Sequence, residues 1–154
     1  MPNKAEVQDR QLILISACLV GEPVRHDGRH AQVDHAIIHR WREEGRLRVL
    51  CPALGGGLTA PRPAVEIEPG QDGSAVLVRL ASVADRKGRD YARNLVAGAV
   101  AAARLALSEG VRIAVLKDGS ASCGSQFIFS GTFDGVRVAR TGVTTAALLG
   151  AGLS

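Results

Sequence analysis

Three short apolar runs, each of strand length and each leading into a loop that carries a cysteine, constrain this chain most. They are Gln11–Leu19 (QLILISACL), Leu47–Cys51 and Ile113–Leu116. The first is apolar almost without a break. That is the pattern of a central parallel strand covered on both faces, not of an edge strand with one wet side. Helical stretches separate the three. Asp34–Glu44 places Ile37, Ile38 and Trp41 on one face, with Asp34 as N-cap and Gly45 as stop. From Asp85 to Glu109, apolar residues recur at i, i+3 and i+4 between Tyr91 and Leu107, and Gly110 ends the pattern.

Two hairpins complete the pattern. Val65–Glu68 and Ala75–Ala81 read as strands about the turn Pro69–Gly73. Phe127–Phe133 and Val136–Ala139 flank Asp134-Gly135, a type I′ signal. Thr144–Leu149 reads as a short closing helix. The order predicts an α/β fold in which residues 11–154 form a single domain, a mainly parallel sheet flanked by helices with β-hairpin additions. Residues 1–10 are expected to form a flexible N-terminal segment.

The chain has 154 residues, enough for a substantial core, and that core is aliphatic, because 46% of residues are hydrophobic but only 3% aromatic. The net charge of +4 leans mildly toward anionic ligands. With no block of five basic residues, a dedicated nucleic-acid arm is not expected. The scarcity of aromatics argues against a platform that stacks single-stranded bases. No run reaches the roughly 18 apolar residues of a membrane span; Leu95–Leu107 is interrupted by Arg104. The N-terminus lacks the apolar centre of a signal peptide. A cytoplasmic protein with reduced thiols is expected.

The cysteines, Cys18, Cys51 and Cys123, are the only three in the chain. In an open α/β sheet, loops beyond the carboxyl ends of parallel strands converge on one crevice. Three thiolates there would make a soft-metal site with one open position. A single cysteine at a strand end is more often a small buried hydrophobe, but three at matching positions are harder to explain that way. No C-x-x-C pair is present, so zinc-finger and thioredoxin-like readings fail. Structural zinc would need a fourth ligand such as His26 or His30. Iron–sulfur clusters normally take four cysteines, and three would leave one iron free for substrate.

The loops around the cysteines carry the other candidates. Arg25, His26 and Asp27 in Val24–His30 form a charged group able to orient an anionic or hydrogen-bonding ligand. Gly55, Gly56 and Gly57 allow close backbone approach, and Arg62 is stiffened between Pro61 and Pro63. In Lys117–Ser125, Ser120 and Ser122 can donate hydrogen bonds, and Asp118 stands at a strand end where a general base would be placed.

Taken in order, SACLVGEPVRHDG, CPALGGGLTAPRPAVEI, LKDGSASCGS, FSGTFDG and GVTTAALL resemble the thiouracil desulfidase family from Leu12 to Leu149. The resemblance implies a bacterial desulfidase. Cys18, Cys51 and Cys123 would hold a [4Fe-4S] cluster by three irons, and the fourth iron would take the sulfur of a thiolated base. Members commonly carry a catalytic glutamate two residues after the second cysteine, where this chain has Ala53. Before the third cysteine they commonly read Lys-Ser-Arg-Ser-Pro-Ser; here Asp118, Gly119 and Ala121 depart from that pattern.

Asp118 is therefore expected to replace the glutamate, with Asp27 and Glu66 as further candidates. Arg25, His26, Arg62, Ser120 and Ser122 are expected to bind substrate. The expected reaction is non-redox removal of sulfur, C=S to C=O, from a thiolated nucleobase or nucleoside. Thiolated RNA is permitted by the charge, and the protein is expected to act as a monomer or homodimer. The alternative is a non-catalytic iron–sulfur or sulfide carrier, or a sensor, of the same fold. A nucleotide-binding module with core cysteines is the third reading.

Overall fold

The computed structural model describes residues 11–154; the expected flexible segment 1–10 lies outside the described residues. At the centre is a three-stranded parallel sheet in the order β2-β1-β5, formed by β1 (Ile13–Ser16), β2 (Leu47–Leu50) and β5 (Ile113–Val115). Ile13 aligns with Leu47 on one side and with Ile113 on the other. All four β1 residues are buried, as the unbroken apolar run requires of a middle strand. A 3-10 turn, Ala17–Val20, follows β1 directly and ends at Gly21, whose φ of 102° favours glycine.

Helix α1 (Ala36–Glu43) crosses from β1 to β2, and α2 (Pro52–Gly55) begins as soon as β2 ends. Helix α4 (Ala92–Glu109) precedes β5. It buries Leu95, Gly98, Ala99, Ala102 and Ala106 along one face. Small residues on that face let neighbouring helices approach closely. Helix α5 (Val143–Gly150) and α2 both pack on α4. Leu14 of β1, Ala102 and Ala106 of α4 and Leu148 of α5 share one core cluster. Two short antiparallel pairs stand apart from the main sheet: β3 (Glu66–Ile67) with β4 (Val83–Ala84), and β6 (Ile128–Phe129) with β7 (Arg137–Val138). The α/β class and the parallel sheet match expectation.

Several local expectations are corrected. The Ala75–Ala81 strand is absent; Gly73–Leu77 is helix α3, because the Asp72 carboxylate caps it by accepting from the Ala75 N–H at 3.1 Å. The partner of β3 is Val83–Ala84 instead. Helix α4 starts at Ala92, not near Asp85, since the Asp85 carboxylate accepts from the Lys87 and Arg89 N–H groups and turns the chain. The N-cap of α1 is His35, through Nδ1 to the Ile37 N–H at 3.0 Å. Asp34 instead accepts from or is bridged to His39 Nε2 at 2.7 Å. A type I′ turn would need positive φ at both Asp134 and Gly135. Positive φ falls on Phe133 and Gly135, so the β6–β7 loop is of another kind.

Candidate functional site

Beyond the carboxyl ends of β1, β2 and β5 lies a cavity of about 240 Å³, and Cys18, Cys51 and Cys123 all line it. Each is placed by a different local device. Cys18 sits in the 3-10 turn, and its carbonyl accepts from the Ala31 N–H at 2.9 Å, folding the 20–31 loop back over the site. Cys51 is the residue before Pro52, which starts α2 with the fixed φ that suits a first helical turn. Cys123 lies in a turn whose Ser122 and Cys123 N–H groups both donate to Ser120 Oγ, at 3.0 and 3.1 Å. The start of α5 locks this turn: Val143 and Thr144 N–H donate to the Ala121 and Ser122 carbonyls, and Thr145 Oγ1 donates to the Cys123 carbonyl. The GVTT segment thus holds the third cysteine in place.

All three thiols are free. Burial raises the Cys18 thiol above its ordinary value, and Cys51 adds to this, while Lys117 and Arg25 oppose it. Burial pushes Cys123 up to about 11, against hydrogen bonding with the Ser122 and Ser16 hydroxyls. Metal ligation requires thiolates and displaces these protons. Among the described residues, no group of three His, Cys, Asp or Glu side chains closes around a single ion. His30, offered above as a zinc ligand, accepts from the Gln32 N–H through Nδ1 and does not line the cavity. Three soft thiolates lining one cavity without closing on a single ion would suit a polynuclear iron–sulfur cluster better than one zinc.

The structure brings Arg25, His26, Arg62, Ser120, Ser122 and Asp118 to the same cavity. Several are already engaged. Arg62 Nη1 donates to the Val24 and Thr59 carbonyls at 2.9 and 3.0 Å, tying two loops together. Ser122 Oγ is 2.8 Å from Thr144 Oγ1 and 3.7 Å from Cys123 Sγ. Asp27 lies outside the wall; it is exposed, and its carboxylate accepts from the Arg29 N–H at 3.0 Å. Glu66 lines a second cavity of about 330 Å³, and its Oε1 accepts from the Gly131 and Phe133 N–H groups.

Asp118 Oδ1 accepts four backbone N–H groups, from Gly119, Ser125, Gln126 and Phe127. Burial alone would raise its carboxyl, but these donors win and hold it below the ordinary aspartate range. A carboxylate so stabilised is a weak base and a strong clamp. Its depressed value stabilises the fold above the unfolded aspartate pKa of about 3.9, and that contribution is lost as pH falls through the folded value. Asp118→Ala is expected to destabilise the protein by about 1–2 kcal/mol at pH 7. Urea unfolding of both proteins should show the gap closing at acid pH.

Residues that the sequence reading passed over also line the cavity. Ser16 Oγ accepts from the Lys117 N–H at 2.9 Å beside Cys123. Phe127 and Phe129 meet edge to face, 6.0 Å apart, and Arg137 lies 4.4 Å over the Phe127 ring. Phe129 and Phe133 line the second cavity, so all three phenylalanines of the chain border the site. Their clustering within seven positions was a readable signal. The second cavity shares a wall with the first, made in part by His26, Ala53 and Arg62.

A profile of the 2-thiouracil desulfurase family matches residues 13–154. The chain is 36% identical over 141 residues to the uncharacterized protein YbbK of Bacillus subtilis strain 168, spanning 92% of this chain and 91% of that one. Its fold matches the solved structure of the [4Fe-4S]-dependent thiouracil desulfidase TudS with a TM-score of 0.84 at 38% identity, over 94% of this chain and 88% of that chain. Among the described residues, no helix is long and apolar enough to cross a membrane. The family match begins at the first residue of β1 and runs through the three cysteine loops to Ser154, and on that ground the protein belongs to the 2-thiouracil desulfurase family.

Proposed function

We propose that the protein is an iron–sulfur-dependent desulfidase that converts the C=S group of a thiolated nucleobase or nucleoside to C=O. The observation that carries this reading is that Cys18, Cys51 and Cys123 all line one cavity at the carboxyl end of the sheet. Cys18, Cys51 and Cys123 would hold a [4Fe-4S] cluster as thiolates, and the chemistry it would supply is Lewis-acid polarisation of the thiocarbonyl. The net reaction balances without a redox partner: the oxygen of one water bonds to carbon, the C–S bond breaks, and the two protons of that water leave with sulfur as hydrogen sulfide.

The side chains supply binding and orientation. The Phe127 and Phe129 rings offer apolar surface for a planar heterocycle. Arg25 contributes a guanidinium at the wall, and Arg62 keeps the His26 loop in position through the 2.7 Å bond from its N–H to the His26 carbonyl. The Ser16 and Ser122 hydroxyls, hydrogen-bonded to the Cys123 thiol, stabilise its ionised form. Ser120 fixes the turn that presents Cys123. Asp118 acts as the clamp of this loop. Three free thiols suit a reducing compartment, which favours the cytoplasm.

The test is anaerobic reconstitution with iron and sulfide, followed by assay of 2-thiouracil, 4-thiouracil and 4-thiouridine. Loss of thiocarbonyl absorbance with stoichiometric release of sulfide is expected; a fully loaded protein with no turnover on any of the three overturns the reading. Ala53 favours one second reading. Its methyl is buried on the wall shared by the two cavities and presents no carboxylate to them, as in a sulfide carrier that keeps the cluster without catalysis. Turnover by Ala53→Glu together with an inert wild type would select that reading.

A further inference from the structure

Desulfidation needs a group to take a proton from the attacking water, and backbone donors hold one oxygen of each carboxylate that lines the two cavities. Asp118 Oδ1 accepts four N–H groups, Glu66 Oε1 accepts two, and Asp27 is off the wall. Arg25, Arg62, Lys117 and Arg137 line the cavity but present donors only. His26 differs from all of these. It stands on the wall shared by both cavities, and among the described residues its ring has no hydrogen-bond partner. Its backbone is pinned: the Arg62 N–H donates to the His26 carbonyl at 2.7 Å, and Arg62 Nη1 donates to the Val24 carbonyl. The loop is fixed while the imidazole is free to accept.

We propose that His26 is the general base of this site, taking a proton from the water that attacks the thiocarbonyl carbon and returning it to the departing sulfur. The role rests on the desulfidase reading above. As the C–O bond forms, one water proton passes to the imidazole nitrogen. As the C–S bond breaks, that proton goes to sulfur, and the second follows from the new hydroxyl as it becomes C=O. No electrons are gained or lost overall.

The surroundings suit the role. Partial burial lowers His26 below the ordinary imidazole value; the Asp27 carboxylate opposes this, and the Arg25 and Arg62 guanidinia reinforce it. The ring is therefore neutral at pH 7 and able to accept a proton. The other charged groups bordering the two cavities are Glu66 of β3, Arg86 beyond β4, Lys117 and Asp118 beyond β5, and Arg137 of β7.

His26→Gln keeps hydrogen-bonding capacity and removes the titratable nitrogen. In the reconstituted protein, iron and sulfide content, visible absorbance and 2-thiouracil affinity should equal those of wild type. The turnover number should fall about 100-fold, the acid limb of its pH profile should vanish, and added imidazole should restore part of the rate. Loss of iron from the variant would make His26 a cluster ligand and overturn the proposal. An unchanged rate and pH profile would overturn it too, and leave the desulfidase reading standing. A slower enzyme with the wild-type profile and no imidazole rescue would show mere positioning, against the proposal. A loaded wild type inert toward 2-thiouracil, 4-thiouracil and 4-thiouridine overturns the desulfidase reading, and this role with it.

Discussion

Replacing any one of Cys18, Cys51 or Cys123 by serine is expected to reduce desulfidase turnover below detection and to strip the protein of its iron and acid-labile sulfide. Each thiolate is held by a different loop of the sheet's carboxyl edge, so no neighbouring cysteine can take over the lost bond. A serine hydroxyl is a hard, weakly acidic ligand and a poor substitute for thiolate on iron. The fold itself should survive. Cys51 is only half-buried, and its serine variant should unfold within about 1 kcal/mol of the wild-type apoprotein. Cys18 and Cys123 are each 7% exposed, so a hydroxyl there costs up to about 1–3 kcal/mol unless it finds a partner. Cys123 has the Ser16 and Ser122 hydroxyls beside it, and its variant should fall at the low end. Iron content, visible absorbance and apoprotein unfolding together separate a ligand from a packing residue. Three variants that lose stability but keep their iron would return the cysteines to the core.

The sheet and the cysteine cavity were legible because both follow from long, simple patterns. A strand covered on both faces must be apolar throughout, and Ile13–Ile15 satisfies that without help from distant residues. The helix itself was equally plain, but its buried face was only partly so: Leu95 and Ala99 are buried, whereas Val100 and Leu107 of the same apolar pattern are exposed and Ala102 and Ala106 lie inside. Convergence of the three cysteines required only that β1, β2 and β5 run parallel, since loops at one sheet edge then meet. What the sequence concealed was the destination of each carboxylate. Asp72, Asp85 and Asp118 look alike in sequence. One caps a helix, one turns a loop before α4, and one gathers four N–H groups from residues as far as nine positions ahead. These outcomes depend on the path of the loop, which composition does not specify. The Ala75–Ala81 stretch failed for a related reason: its valines favour a strand, but the Asp72 cap decides for helix.

Gly98→Ala is expected to lower the unfolding midpoint of the apoprotein by roughly 4–8 °C and to impair cluster loading as well. Gly98 lies on the buried face of α4, opposite the start of α2, and a Cβ there would overlap the Pro52 carbonyl. Gly56 meets the Asn94 carbonyl in the same way from the other helix, and Asn94 Nδ2 donates to the Gly56 carbonyl at 2.9 Å. The two backbones are in contact at both points. Alanine is the better helix former by about 1 kcal/mol. Forcing α2 away from α4 costs about 3 kcal/mol, the upper end for overpacking, because the obstacle is backbone and not a side chain that can rotate. The net loss is about 2 kcal/mol. The same displacement is felt at the cavity, because Pro52 follows Cys51 directly and moves it with the helix. Gly150→Ala at the end of α5 is the control: nothing lies within 4 Å of its Cβ, so stability should hold or rise slightly. An unchanged midpoint in Gly98→Ala with full iron content would show that α2 can shift without disturbing Cys51, and would remove the glycine contact from the architecture of the site.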